Sequence, residues 1–444
     1  MIILLIKSIF TNSSGILFSR ILGFIRDLLT ASILGANIYS DIFFVAFKVP
    51  NLFRRIFAEG AFTQAFIPAY AKSKRKIRFS SVIFLQFLAF IVILSLLVTV
   101  FATLVTKAIA IGFDEKTVDL AAPLVAINFY YLPLIFVVTF MAALLQYKNH
   151  FATTAFSTAL LNLSLIGALL LSKNMDSYEI TFYLSYGVII GGVLQVLVHV
   201  MAIKNKNLLK IFTFKKSKKN QNTEKESEGK KFYKNFLSAT MGSSTAHLSA
   251  FLDTWLASFL ITGSISYLYY ANRVFQLPLA LFAIATSVAL FPMIAKAIKN
   301  KDENKALKLM KKSFLILCGV LGLATLIGIV FNEFIITLLF ERGAFTNNDT
   351  SNTALILSMY LIGLLPFGLA KIFSLWLYAN EKQFTAAKIS MYSLGGNIVF
   401  SLALIVPYEA AGLAFASTLS GFILFILTIK EFGFSRFKTL ILKG

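Results

Sequence analysis

The strongest constraint on this chain is the recurrence of long apolar stretches, such as those starting at Val82, Leu120 and Phe314, separated by short Lys-rich segments. A helix needs roughly 20 apolar residues to cross the hydrocarbon of a bilayer, and these stretches meet that length. A large soluble core would also need many apolar residues, but would not punctuate them so regularly with lysines. The overall balance agrees: 58% of the 444 residues are hydrophobic and 14% are charged, against about 25% charged in soluble domains. The reading is an all-α polytopic membrane protein.

Twelve spans are expected, with limits near 5–34, 39–70, 80–112, 120–147, 152–172, 178–203, 232–262, 266–296, 305–340, 351–380, 384–407 and 410–430. With the N-terminus placed in the cytoplasm, 31 of the 42 Lys and Arg fall in cytoplasmic segments and only Lys107, Lys116, Lys173 and Arg342 on the other side. The positive-inside rule then puts both termini in the cytoplasm. It also accounts for the net charge of +22 without nucleic acid, through loop lysines facing anionic headgroups. The N-terminal MIILLIKSIF lacks a small-residue cleavage site and reads as the start of the first span. A single cysteine, Cys318, rules out an internal disulfide or a cysteine metal cluster.

The chain repeats itself. DLLTASIL from Asp27 matches DTWLASFL from Asp253, and FIPAYAK from Phe66 matches LFPMIAK from Leu290. Six spans per half give parallel repeats about an axis along the membrane normal. The expected organisation is an N-terminal lobe over 1–203, a Lys-rich cytoplasmic linker over 204–231, a C-terminal lobe over 232–430 and a cytoplasmic tail over 431–444. A cavity between two rocking lobes follows.

Charges inside the spans are the candidate functional groups. Seven cations lie there: Arg20, Arg26, Lys48, Arg54, Arg55, Arg273 and Lys371, against Asp27, Asp41, Glu59 and Asp253. Each costs at least about 2.5–3.5 kcal/mol at the bilayer centre, so they must face a cavity, pair, or snorkel at span ends. Asp41, Lys48 and Arg55 recur every seven residues, near one stripe of a helix that Pro50 could kink. The excess of arginine suits a diphosphate, because the guanidinium fork binds phosphate oxygens in two places and keeps its charge. Arg26, Arg54, Arg55 and Arg273 are the cargo candidates; structural pairing is the alternative, favoured for Glu59, with Lys371 snorkelling. Asp253, the one span acid of the second half, is a candidate Na+ or H+ site with Asn397 and Thr418 as neutral ligands; pairing with an arginine is its alternative. His150, His199 and His247 are too scattered for a metal and read as structural.

Longer motifs carry a family resemblance. SRILGFIRDLLTASILGA from Ser19, SDIFFVAFKVPNLFRRIFAEGAFTQAFIPAYAK from Ser40, ASFLITGSISYLYYANRVFQLP from Ala257 and RGAFTNND from Arg342 resemble the MurJ (MviN) lipid II flippases of the multidrug/oligosaccharidyl-lipid/polysaccharide exporter superfamily. The resemblance implies two six-helix lobes around a central cationic cavity in the bacterial inner membrane. It implies flipping of undecaprenyl-diphosphate-linked peptidoglycan precursor from the cytoplasmic to the periplasmic leaflet, with no bond broken and hence no enzyme. Arg20, Arg26, Asp41, Arg54 and Arg273 match the family's essential cavity positions. The partners implied are lipid II, membrane lipids and, beyond those, cell-wall synthesis proteins. No cofactor is expected, with Na+ or H+ coupling, or use of the membrane potential, left open. The departures are twelve spans where many members have fourteen, Asn272 where an Asp is frequent, and Gln276 where a Glu is common. An exporter of another polyprenyl-linked glycan or of drugs is the rival, although a cationic cavity does not suit cationic drugs. A polyprenyl-handling enzyme would need a clustered acidic Mg2+ site, which the spans lack.

Overall fold

The computed structural model describes residues 2–56, 62–209, 229, 232–237, 240, 248–249 and 251–442, and these are helical with short turns and no strand. The chain divides into two compact units, 1–247 and 248–444.

The first unit contains α1 (Ile2–Leu34), α2 (Ile38–Ile56), α3 (Phe62–Lys72), α4 (Lys76–Val100), α5 (Ala102–Ile109), α6 (Glu115–Phe129), α7 (Tyr131–Tyr147), α8 (Ala152–Ser172) and α9 (Ser177–Asn205). Their ends follow local chemistry. Asp114 caps α6 by accepting from the Thr117 amide, and Asp176 caps α9 through the Tyr178 amide at 3.1 Å, each satisfying a donor that the first helical turn leaves orphaned. Helix α7 stops at Asn149, whose φ of 57° turns the chain left-handed.

Lipid tails are as apolar as leucine, so burial of apolar surface does not drive these helices together; close packing and hydrogen bonds do. Helix α8 lies against both α1 and α9. On α1 the contact stripe is Gly15, Ser19 and Gly23: a Cβ on Gly15 would sit 2.7 Å from that of Ala155, and one on Gly23 would meet the Asn162 side chain. Small residues at every fourth position let two backbones approach. The aromatic core is Phe62, Phe66, Phe87, Phe136 and Phe140. Residues 232–237 insert into it: the fully buried Phe232 lies 5.9 Å edge-on from Phe62, and Phe236 5.3 Å edge-on from Phe87.

The second unit contains α10 (Ser264–Pro278), a π-helical turn (Leu279–Ile284), α11 (Ala285–Lys299), α12 (Glu303–Val330), α13 (Asn332–Phe340), α14 (Asn347–Ile362), α15 (Leu364–Ala379), α16 (Gln383–Phe432) and α17 (Phe434–Leu442). The π turn follows Pro278, whose missing N–H breaks the hydrogen-bond ladder there. Thr346 and Asp349 form a capping box on α14. Helix α16 contains a kink at Glu409, with φ 48° and ψ −130°. The chain reverses there. Ser393 donates to the Ser420 carbonyl at 2.7 Å and Asn397 to Ser417 Oγ at 3.0 Å, so the two arms run antiparallel. Helix α17 is docked by Arg436, which bonds Glu303 at 3.0 Å and stacks on Trp376.

Eight helical stretches among the described residues are long and apolar enough to cross a membrane: 76–100, 115–147, 152–172, 177–205, 264–299, 303–330, 347–379 and 383–432. Each falls on an expected span, and 383–432 carries two of them folded at Glu409. The expected first span coincides with α1. The second is divided between α2 and α3, with 57–61 outside the described residues. Residues 238–239, 241–247 and 250 of the 232–262 span and most of the linker, together with Glu59, also lie outside them, and His247 is among these.

Candidate functional site

Arg26 is the best-defined of the candidate cargo residues. It lies on α1 with Asp27, and the two are 9% and 1% exposed. Its Nε donates to Asp27 Oδ1 at 3.1 Å, and its NH1 donates to Asn162 Oδ1 at 3.0 Å. Asn162 in turn donates from Nδ2 to the Ser19 carbonyl at 2.9 Å. The amide thus clamps α1 from α8, made possible by the small-residue stripe beside it. An ionised guanidinium held by a carboxylate and an amide is a fixed positive charge, oriented before any ligand arrives.

The other candidates of the first unit occupy different settings. Arg20 is exposed, one and a half turns before Arg26 on α1. Asp41 is buried in the first turn of α2. Lys48 and Arg54 are half-buried on the same helix, and Arg54 Nε donates to Asn51 Oδ1 at 3.1 Å. Asp41, Lys48 and Arg55 all lie on the continuous α2, with Pro50 inside it; the Arg55 side chain is outside the described residues.

In the second unit Arg273 is half-buried on α10. It donates to the Tyr269 hydroxyl at 3.0 Å and lies 5.2 Å from the centre of that ring. Gln276 donates to Asn272 one turn away, so the two positions that depart from the family pattern bond to each other. Lys371 is exposed on α15.

The candidate ion ligands are partly assembled. Ser417 Oγ donates to Asp253 Oδ2 at 3.2 Å and accepts from Asn397 Nδ2, while Ser401 donates to Asn397 Oδ1 at 3.2 Å. Asp253 and Asn397 therefore share one chain of polar groups across the α16 hairpin. Thr418 points elsewhere: its hydroxyl donates to the Met359 carbonyl at 2.6 Å. Among the described residues no group of three or more His, Cys, Asp or Glu could hold a metal ion.

Sequence reasoning passed over Asn162, Ser417, Ser401 and Tyr269. Asn162 carried a usable signal, an amide inside the apolar run ALLNLSL, which must find partners in a bilayer. The serines carried none, since a lone hydroxyl can satisfy itself on its own helix.

Helices long and apolar enough to cross a membrane, with Arg26 and Asp27 buried together among them, define a polytopic membrane protein of the transporter class. The family model for the lipid II flippase MurJ matches residues 30–442, and the chain belongs to that family. It is 51% identical over 416 residues to a probable lipid II flippase MurJ of Helicobacter pylori, covering 92% of this chain and 90% of that one. A probable lipid II flippase MurJ of Buchnera aphidicola is 34% identical, covering 98% and 84%. Among solved structures, a lipid II flippase MurJ in an inward closed conformation superposes with a TM-score of 0.83 at 26% identity, covering 97% of this chain and 89% of that one. An inward-facing multidrug-resistance MATE transporter of the MOP superfamily gives 0.73 at 11% identity, a likeness of fold alone.

Proposed function

We propose that this protein is a lipid II flippase, moving the undecaprenyl-diphosphate-linked peptidoglycan precursor from the cytoplasmic to the periplasmic leaflet of the inner membrane. The observation that carries it is the family match across nearly the whole chain, supported by the buried, pre-oriented Arg26. In this reading twelve spans form two six-helix lobes with both termini in the cytoplasm. The diphosphate enters a cavity between the lobes and is bound by Arg26, Arg54, Arg55 and Arg273, with Arg20 and Asp41 tuning the charge around it. The prenyl tail stays in lipid. Closure on the cytoplasmic side exposes the headgroup on the other, with no covalent step.

Coupling is assigned to Na+ or H+ at Asp253, with Asn397 and the Ser417 and Ser401 hydroxyls beside it. The membrane potential, at about 2.3 kcal/mol per charge per 100 mV, would assist the return of a cationic cavity. The direct test is rescue of a bacterium depleted of its own lipid II flippase, with membrane expression verified. Rescue by the wild type but not by Arg26→Gln or Arg273→Gln, at equal membrane levels, is the expected result. Rescue by both variants would remove the arginine mechanism. Failure of the wild type would remove lipid II as cargo.

A further inference from the structure

A second anion-binding arrangement lies in the first unit, where α7 hands over to α8 and α9 ends. A cavity of about 400 Å3 there is lined by residues including His150, Thr153, Met201, Asn205 and Lys206. Its two basic residues sit at helix ends. His150 follows the left-handed Asn149, with its amide bonded to the Leu145 carbonyl at 2.9 Å. Lys206 precedes the left-handed Asn207, and the Leu208 amide closes the turn on the Ile203 carbonyl at 3.0 Å. Both are helix C-terminal closures with a positive-φ asparagine, which fixes the backbone at each; His150 Nε2 also pairs with Thr153 Oγ1 at 2.7 Å, and the Lys206 side chain is exposed.

No carboxylate lines this cavity, and no ion pair holds Lys206 among the described residues. Burial, and then the Lys206 ammonium, hold His150 below the usual imidazole range, which places the two basic groups within each other's field. The first turn of α8 has no side-chain cap, and Thr153 lies in it, so its amides add positive potential. One turn inward from Ala202, His199 is fully buried; its Nδ1 bonds the Gln195 carbonyl at 2.8 Å and its Nε2 has no hydrogen-bond partner. Thr154 Oγ1, also buried, has none either. Neither His199 nor Thr154 lines the cavity itself. Beside the cavity, α9 presents Leu197, Val200 and Met201, 47%, 40% and 62% exposed, as apolar surface for an acyl chain.

We propose that this cavity binds the phosphodiester headgroup of an anionic phospholipid, with Lys206, His150 and the α8 amides on the phosphate and the lipid tails along α9. The site lies apart from Arg26 and does not depend on which cargo the protein carries. The test is thermal unfolding of the purified full chain in neutral micelles, titrated with dioctanoyl phosphatidylglycerol, dioctanoyl phosphatidylcholine or inorganic phosphate. Phosphatidylglycerol should raise the midpoint at concentrations where the other two do nothing. His150→Leu and Lys206→Gln should each shift that titration at least tenfold, while Lys204→Gln leaves it unchanged. The ligand-free midpoints of the variants report their folding. Equal response to phosphatidylcholine, an unshifted titration in both variants, or equal response to inorganic phosphate would each overturn the assignment, the last by making this a free-phosphate site.

Discussion

At the scale of single residues, the decisive arrangement is Arg26 held by Asp27 and Asn162. Asp27 is its sequence neighbour, but Asn162 is 136 positions away. Asn162→Leu keeps the volume and removes the acceptor, leaving a buried charge short of a hydrogen bond worth about 1.5–3 kcal/mol. Flipping of a fluorescent lipid II analogue in proteoliposomes should fall at least severalfold, with the protein still inserted; Asn162→Gln should restore part of it. Glu341 offers an acid-sensitive contact outside the spans. It accepts from Thr350 at 2.8 Å and Thr337 at 3.0 Å, and these bonds hold its carboxyl below its ordinary value of 4.5. A depressed carboxyl stabilises above its unfolded value, and that contribution is lost as pH falls through the folded one. Protection against amide exchange over residues 337–350, relative to the intrinsic rate at each pH, should therefore fall below about pH 4.5, and Glu341→Gln should flatten that dependence.

At the scale of elements, hydropathy made the spans legible, because a bilayer imposes a length on every crossing. It could not show where crossings break. The interruptions at Phe101 and Phe331 have no Pro beside them, and only the second has a Gly within a turn, Gly328. The heptad spacing of Asp41, Lys48 and Arg55 falls on one helix, since α2 continues through Pro50. Asn397 and Asp253 were readable as isolated polar groups in apolar runs. Their bridge was not, because Ser417 rather than Thr418 faces Asp253, and one residue of helix is a 100° rotation. The close crossing of α1 on α8 has its own test. Gly15→Leu would place a side chain where a Cβ already meets Ala155 backbone at 2.9 Å. Overpacking of this kind costs about 1–3 kcal/mol. The expected result is a lower unfolding midpoint together with lost flipping, because Asn162 is drawn away from Arg26. Gly15→Ala should do the same to a smaller degree.

At the scale of the whole molecule, the lysine asymmetry makes a topological prediction. Cys318 is the one native cysteine and is half-buried in α12, so background labelling should be low. A cysteine at Asn174 should react with an impermeant maleimide added to intact spheroplasts, and one at Asn207 should react only after lysis. The reverse pattern would invert the orientation drawn from the lysines.

The packing of Phe232 and Phe236 against Phe62, Phe66 and Phe87 carries a consequence for biosynthesis. The sequence repeat suggests that the first half could fold once its sixth span is made. The aromatic core says otherwise, since two of its rings are encoded beyond the lysine linker. On the ribosome, the amino-terminal bundle would wait through the synthesis of that linker with one face open. A gene split after residue 203 would strand those rings on the wrong fragment, whereas a split after residue 240 would deliver them with the bundle they complete.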